Sequence, residues 1–220
     1  MAMFTDERRG FVVQAGMEIV GRDLHEKTPV VAASEAQGEI VDLRQVPQEL
    51  LAASDQEYTG FERPDLWNNA NLFDRPDVWG VAVVTKSPPQ STDDIVAWIL
   101  VRRNSQGFHI GPLYAKNAAS AEVVLANVVE NAKIKMIRDT PMPNDPINDW
   151  ADEKITQEAF LGAEVPIWNP EAMPAFERQG FHTLGHQFVR MWRHKKATPE
   201  LSEGGLGYAG VYGAADAAIG

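Results

Sequence analysis

The residues able to do chemistry gather at two strand-to-helix joins and one helix end. The first join is Lys116-Asn117-Ala118-Ala119-Ser120-Ala121, where a β-type run ending at Ala115 meets a helical pattern. A strand running into a helix start leaves several backbone N–H groups unpaired, a physically sensible place to hold an anion. Lys116 adds a point charge there, and Asn117 or Ser120 can cap the helix. Just before them, Tyr114 offers a hydroxyl that can serve as an acid, a hydrogen-bond donor or ordinary core. Tyr58 at the end of a helical stretch, with Glu62 and Arg63 after it, sits where helices could border a cleft. A Glu whose pKa is raised by burial can act as a base, and a surface salt link is the plainer role. At the second join Asn169 carries an amide that can orient a ligand or cap the helix after it.

Other chemistries find little support. His182 and His186 are four apart on a strand pattern, with no nearby carboxylate to complete a metal set, so no metal site is expected. His109 stands beside a turn, an exposed strand position. Asp55, Asp74 and Asp77 read as unrelated, and no Ser-His-Asp spacing emerges. The absence of Cys excludes disulfides, thiol catalysis and thiolate metal sites. Neither GxGxxG nor GxxxxGK[ST] occurs, which weakens dinucleotide and P-loop readings. Net charge is −11, so nucleic acid is not expected as a partner. The basic clusters at Lys133, Lys135 and Arg138 and at Arg190, Arg193, His194, Lys195 and Lys196 read as solvated element ends. No apolar run approaches the roughly 18–20 residues that span a bilayer, and no apolar run of signal-peptide length follows Asp6–Arg9. Neither membrane attachment nor a secretory signal is expected, and a cytoplasmic location is.

The elements that must position these residues follow from periodicity. Residues 98–102 and 108–115 are β-branched and aromatic, and Asn104–Gly107 has hairpin-turn composition, so the two runs are antiparallel neighbours. Val123, Val124, Ala126, Val128, Ile134 and Ile137 then mark a helix ending near Arg138. Upstream, the spacing predicts one or two strands from Phe11 to Leu24, a strand within Gly38–Val46, and a helix from Pro47 to Gly60. A turn or helical segment over 62–73 and a buried strand at 78–84 come next. Pro141, Pro143 and Pro146 prevent helix over 140–149. A further helix is predicted from Asn148 or Asp149 to about Phe160. It is followed by a strand at 163–168, a helix over 169–179 closed by Gly180, and a strand over 181–194 bulged at Gly185. The Gly-rich tail predicts one weak strand around Tyr208–Tyr212. The fold class is α/β, a mixed, mostly antiparallel central sheet with helices on both faces.

Four segments carry a family resemblance: DQEYTGFERPDLW (Asp55–Trp67), FHIGPLYAKNAASAEVVL (Phe108–Leu125), VPIWNPEAMPAFERQGF (Val165–Phe181) and FVRMWRH (Phe188–His194). In order and spacing the chain resembles the GCN5-related N-acetyltransferase (GNAT) superfamily, most nearly the C-terminal acetyltransferase-like domain of its two-domain members. The likeness divides the chain into an N-terminal extension (1–37), a GNAT-like domain (38–215) and a tail (216–220). Phe11–Arg22 is similar to the last strands of a preceding domain, and is expected to join the sheet of this chain or of a neighbouring copy, which makes a homodimer an option.

The resemblance implies an acetyl-CoA site. The pantetheine arm would pair with Ile110, Gly111, Leu113 and Ala115 on the central strand, where neighbouring strands splay apart. The pyrophosphate would lie over Lys116, Asn117, Ala118, Ala119, Ser120 and Ala121. Asn169 would orient cofactor or substrate, Glu62 would border the acceptor cleft as a base, and Tyr114 would be the remaining acid. The acceptor would be a small-molecule amine or a peptide. Two departures stand out. The pyrophosphate loop lacks the family's glycines, and Phe176 occupies the place seven residues after Asn169 where many members carry an acidic Tyr. Two readings follow: an acetyltransferase acting by direct attack in a ternary complex, or a non-catalytic GNAT-like domain that binds CoA, a small acyl ligand or a protein.

Overall fold

The computed structural model describes residues 11–24, 38–68, 74–104, 107–138, 160–193 and 197–214. Eight strands, β1 (Phe11–Asp23), β2 (Glu39–Asp42), β3 (Val78–Val84), β4 (Ile95–Asn104), β5 (Gly107–Ala115), β6 (Phe160–Pro166), β7 (His182–Arg193) and β8 (Val211–Gly213), make one sheet. Among the described residues four α-helices, α1 (Gln48–Thr59), α2 (Ala118–Arg138), α3 (Ala172–Arg178) and α4 (Leu206–Gly210), accompany them. The spatial order is β2-β3-β4-β5-β6-β1-β7, with β8 laid against β5. Among the described pairings only β5–β6 is parallel. This is the mixed, mostly antiparallel sheet that the pattern predicts.

Central strands are apolar on both sides because both faces are covered. Along β4, Ala97, Ile99 and Val101 belong to one core, while Trp98 and Leu100 belong to the other. The first core is completed by Ala121, Val124, Leu125, Val128, Val129 and Ala132 of α2, a helical stripe, and by Ala175 and Phe176 of α3. The second takes Leu51 and Tyr58 from α1, and Leu201. The carboxamide oxygen of Asn117 caps α2, accepting the Ser120 N–H at 2.9 Å and the Ser120 hydroxyl at 3.0 Å.

Two placements are long-range and carry no local signature. β1 lies between β6 and β7, paired antiparallel to both. β7, at the sheet's end, exposes Leu184, Phe188, Val189 and Met191. Its register against β1 slips around Gly185, which has φ +73°, so the predicted bulge is present.

The tail departs from expectation. Residues 206–210 form the short helix α4, and the strand is confined to Val211–Gly213. The reason is close packing: a Cβ on Gly207 would lie 1.8 Å from the Tyr58 carbonyl oxygen, and one on Gly210 2.2 Å from the Tyr58 ring. These glycines dock a helix onto α1. They are not the mark of a weak strand. The helix predicted from Asn148 or Asp149 toward Phe160 lies outside the described residues up to 159, and Phe160 itself opens β6. Residues 1–10, 25–37 and 215–220 likewise lie outside them.

Candidate functional site

The join predicted to carry the chemistry is formed, and its geometry is set by a bulge. Strand β5 pairs with β6 only from Gly107 to Ile110. Against β4 its register slips between Ile110 and Leu113, placing one extra residue at Gly111–Pro112. Ile110 and Leu113, three apart, therefore face the same core. Beyond the bulge β5 and β6 diverge, leaving a wedge between them.

Strand β8 fills that wedge. Leu113 pairs with Gly213 and Tyr114 with Val211, while the Ala214 N–H donates to the Glu164 carbonyl of β6 at 2.9 Å. Gly111 is needed for this approach, since a Cβ there would lie 2.1 Å from the Ala214 carbonyl oxygen. Asn169 fastens the plug. Its Nδ2 donates to the carbonyls of Ala209 (2.9 Å) and Val211 (3.0 Å), and its Oδ1 accepts the Glu171 N–H. The buried Tyr212 donates its hydroxyl to the Glu171 carboxylate at 3.1 Å.

The start of α2 is similarly engaged. Lys116 gives its ammonium to the Asp93 carbonyl at 2.7 Å and its N–H to the Val96 carbonyl at 2.9 Å. Lys116, Asn117 and Ala119 are exposed, Ala118 is half-buried, and Ser120 and Ala121 are buried. Neither the cavity on the α1 side nor the open depression beside Gly185–Phe188 is lined by any of Lys116–Ala121.

On the opposite, α1 side of the sheet stands a buried polar hub. Asp55 is fully buried, and its carboxylate accepts from Arg63 Nε (3.1 Å), Arg63 Nη2 (2.7 Å), Trp67 Nε1 (3.2 Å) and the Tyr114 hydroxyl (2.8 Å). Such a charge is tolerable inside a protein because paired and hydrogen-bonded partners surround it. Burial, then the Asp55 charge, pushes the Tyr114 hydroxyl well above the usual tyrosine range. Tyr114 is thus held protonated with its hydrogen committed to Asp55. Burial works most strongly against the Arg63 charge, yet hydrogen bonding to Asp55, the Asp55 charge and Tyr114 together outweigh it and raise its pKa. Tyr114 stacks on Tyr58 at 4.7 Å and meets the edge of Trp98 at 5.0 Å. Glu62 is exposed, accepting from Gln56 at 3.4 Å, and does not line the cavity next to it.

That cavity, about 280 Å³, opens beside the hub between the end of α1, β7 and the plug. Met17, Phe61, Trp192 and Leu201 give it apolar walls, Arg63 and Arg190 give it charge, and Val211 and Ala214 of the plug close one side. The structure therefore brings Tyr114 and Arg63 together at a cavity, separates Glu62 from it, and spends Asn169 on β8. Asp55 and Arg190 are the residues that sequence reasoning passed over. For Asp55 a signal existed: it falls on the inward stripe of α1 with Leu51, Ser54, Tyr58 and Thr59, where a carboxylate needs partners.

The sheet order, the bulged central strand and the strand-to-helix join define a GNAT-type domain, and a family model agrees. The acetyltransferase (GNAT) domain model matches residues 53–164, just over half of the chain, and the chain belongs to that family. Among solved structures it is similar to a candidate acetyltransferase from Pyrococcus horikoshii, with 14% identity, TM-score 0.53, and coverage of 96% of this chain and 53% of that one. It is also similar to a GCN5-related N-acetyltransferase from Sphaerobacter thermophilus, with 16% identity, TM-score 0.50, and coverage of 87% and 55%. At these identities the likeness shows the fold, and the chain spans about half the length of the structures it matches. No curated protein matches it.

The family's fold is in general one that can hold coenzyme A. In this chain the residues at the wedge do not fit that group as folded, because β8 already takes the β5 backbone at Leu113 and Tyr114. The plug lies beyond residue 164, outside the stretch the family model matches.

Proposed function

We propose that this chain is a non-catalytic GNAT-like domain, of the kind found C-terminally in two-domain members, whose working surface is the α1-side cavity. The observation that carries the reading is β8 in the wedge. A thioester arm would have to displace two residues of strand pairing and the Ala214–Glu164 hydrogen bond before gaining any of its own. The residues assigned to transfer are committed elsewhere: Tyr114 to Asp55, Asn169 to β8, and Glu62 to the exposed surface. Phe176, fully buried against Phe181, has no proton to give a leaving thiolate.

The competing reading, transfer of acetyl from acetyl-CoA to an amine, requires β8 to vacate the wedge. Calorimetry and thermal unfolding of the full chain with millimolar acetyl-CoA separate the two. We expect no heat and no shift in unfolding temperature, and no acetylation of a panel of amines and peptides. Saturable binding of acetyl-CoA accompanied by amine acetylation overturns the proposal.

A further inference from the structure

The α1-side cavity holds two guanidiniums against one buried carboxylate. Arg63 spends its charge on Asp55 through two hydrogen bonds. Arg190 has no such partner among the described residues. Its guanidinium lies 5.8 Å from the ring centres of both Trp168 and Trp192, a flat cation held against aromatic faces. Burial depresses its pKa and the Arg63 charge adds to that, while Tyr114 and Glu164 work against it through their fields. The Arg190 side chain is half-buried at the cavity wall, and among the described residues no carboxylate is hydrogen-bonded to it, which leaves its donors for a ligand. Around it the walls are apolar: Met17, Phe61, Trp192 and Leu201.

We infer that this cavity binds a small carboxylate with an apolar body, the carboxylate paired to Arg190 and the body against Phe61, Trp192 and Leu201. The inference deepens the non-catalytic reading above by naming its ligand class, and rests on it only in taking this cavity as the working surface. A guanidinium presents its donors in a planar fork that matches a carboxylate's two oxygens. An amine would meet the Arg190 charge here, Arg63 being neutralised by Asp55, so the cavity selects against the family's usual class of acceptor. At about 280 Å³ the cavity lies just below the range of drug-sized ligand sites, which suits a short aryl or alkyl chain.

The test uses the full chain and three matched probes: 4-phenylbutyrate, 4-phenylbutylamine and 4-phenylbutanol. We expect millimolar or tighter binding of the carboxylate by calorimetry, with the alcohol weaker and the amine weakest. Arg190→Gln is expected to weaken carboxylate binding about tenfold or more while leaving alcohol binding nearly unchanged. Arg190→Lys should recover part of the loss, and the unfolding temperature of each ligand-free variant checks that the fold survives. Equal binding of amine and carboxylate, no binding of any probe, or carboxylate binding indifferent to Arg190→Gln overturns the inference. These outcomes are independent of acetyl-CoA: cofactor binding would sink the proposed function without touching the probe ranking, and a failed ranking would leave β8 in the wedge.

Discussion

The wedge between β5 and β6 and the cavity beside α1 lie on either side of one strand, and they have opposite fates. In the wedge, backbone that a diverging strand pair would leave open is satisfied by β8, with Asn169 holding the plug. In the cavity, side chains carry the polar groups, and Arg190 is left without a carboxylate partner among the described residues. The two are connected, since Val211 and Ala214 belong to the plug and also line the cavity. Closing one space builds a wall of the other. The lesson is that a family's reactive geometry can survive as fold, bulge and splay included, while the vacancy that made it useful is refilled.

The largest expected effect removes the hub on the cavity side. Replacing Asp55 by Ala leaves Arg63, Trp67 and Tyr114 facing a vanished acceptor. Breaking a buried charge pair from one side typically costs about 3–5 kcal/mol. Urea unfolding of D55A should show a loss of that order. A loss under about 1 kcal/mol, the range of an exposed pair, would mean that the hub does not hold the cavity together.

A second variant acts on the wedge. Gly111→Val drives a branched side chain into the Ala214 carbonyl, which leaves no room for even a Cβ. Overpacking of this kind typically costs about 1–3 kcal/mol. We expect hydrogen exchange at Val211–Gly213 to accelerate while β3 and β4 stay protected, and the cavity to lose affinity along with the plug. If exchange in β8 is unchanged, Gly111 is not what admits the strand, and the two regions are less coupled than their shared wall implies.

How much of this was legible beforehand depends on the range of the determining contacts. The β4–β5 hairpin, α1 ending at Gly60, α2 capped by Asn117 and the bulge at Gly185 are set by near neighbours, and period and turn chemistry found them. The insertion of β1 between β6 and β7 joins segments more than a hundred residues apart, and no local pattern specifies it. The plug was hidden for a different reason. Its glycines satisfy packing against Tyr58 and lower any strand signal, so α4 and β8 read together as one weak strand. Asp55 was overlooked because its partners Trp67 and Tyr114 come from separate elements. Arg190 was grouped with basic neighbours by sequence, although it is held against Trp168 and Trp192.

The smallest effect compares the two regions through their tyrosines. Tyr114 on the cavity side and Tyr212 in the plug both have pKa values raised first by burial, then by Asp55 and Glu171 respectively. Tyr58 is raised by burial and by Glu57. In the unfolded chain each ionises near pH 10, so as pH rises past about 10 the unfolded state loses protons that the folded state still holds. The stability these groups contribute is therefore intact below about pH 10 and falls as pH climbs toward their folded values. Tyrosinate absorbance should lag behind free tyrosine in the native protein and appear with unfolding. Gly111→Val, which crowds β8 out of the wedge, should loosen the plug and let Tyr212 ionise nearer pH 10. Tyr114, gripped by Asp55 from α1, should stay protonated. If both tyrosines move together in that variant, wedge and cavity open as one unit; if only Tyr212 moves, the cavity keeps its hub without the plug.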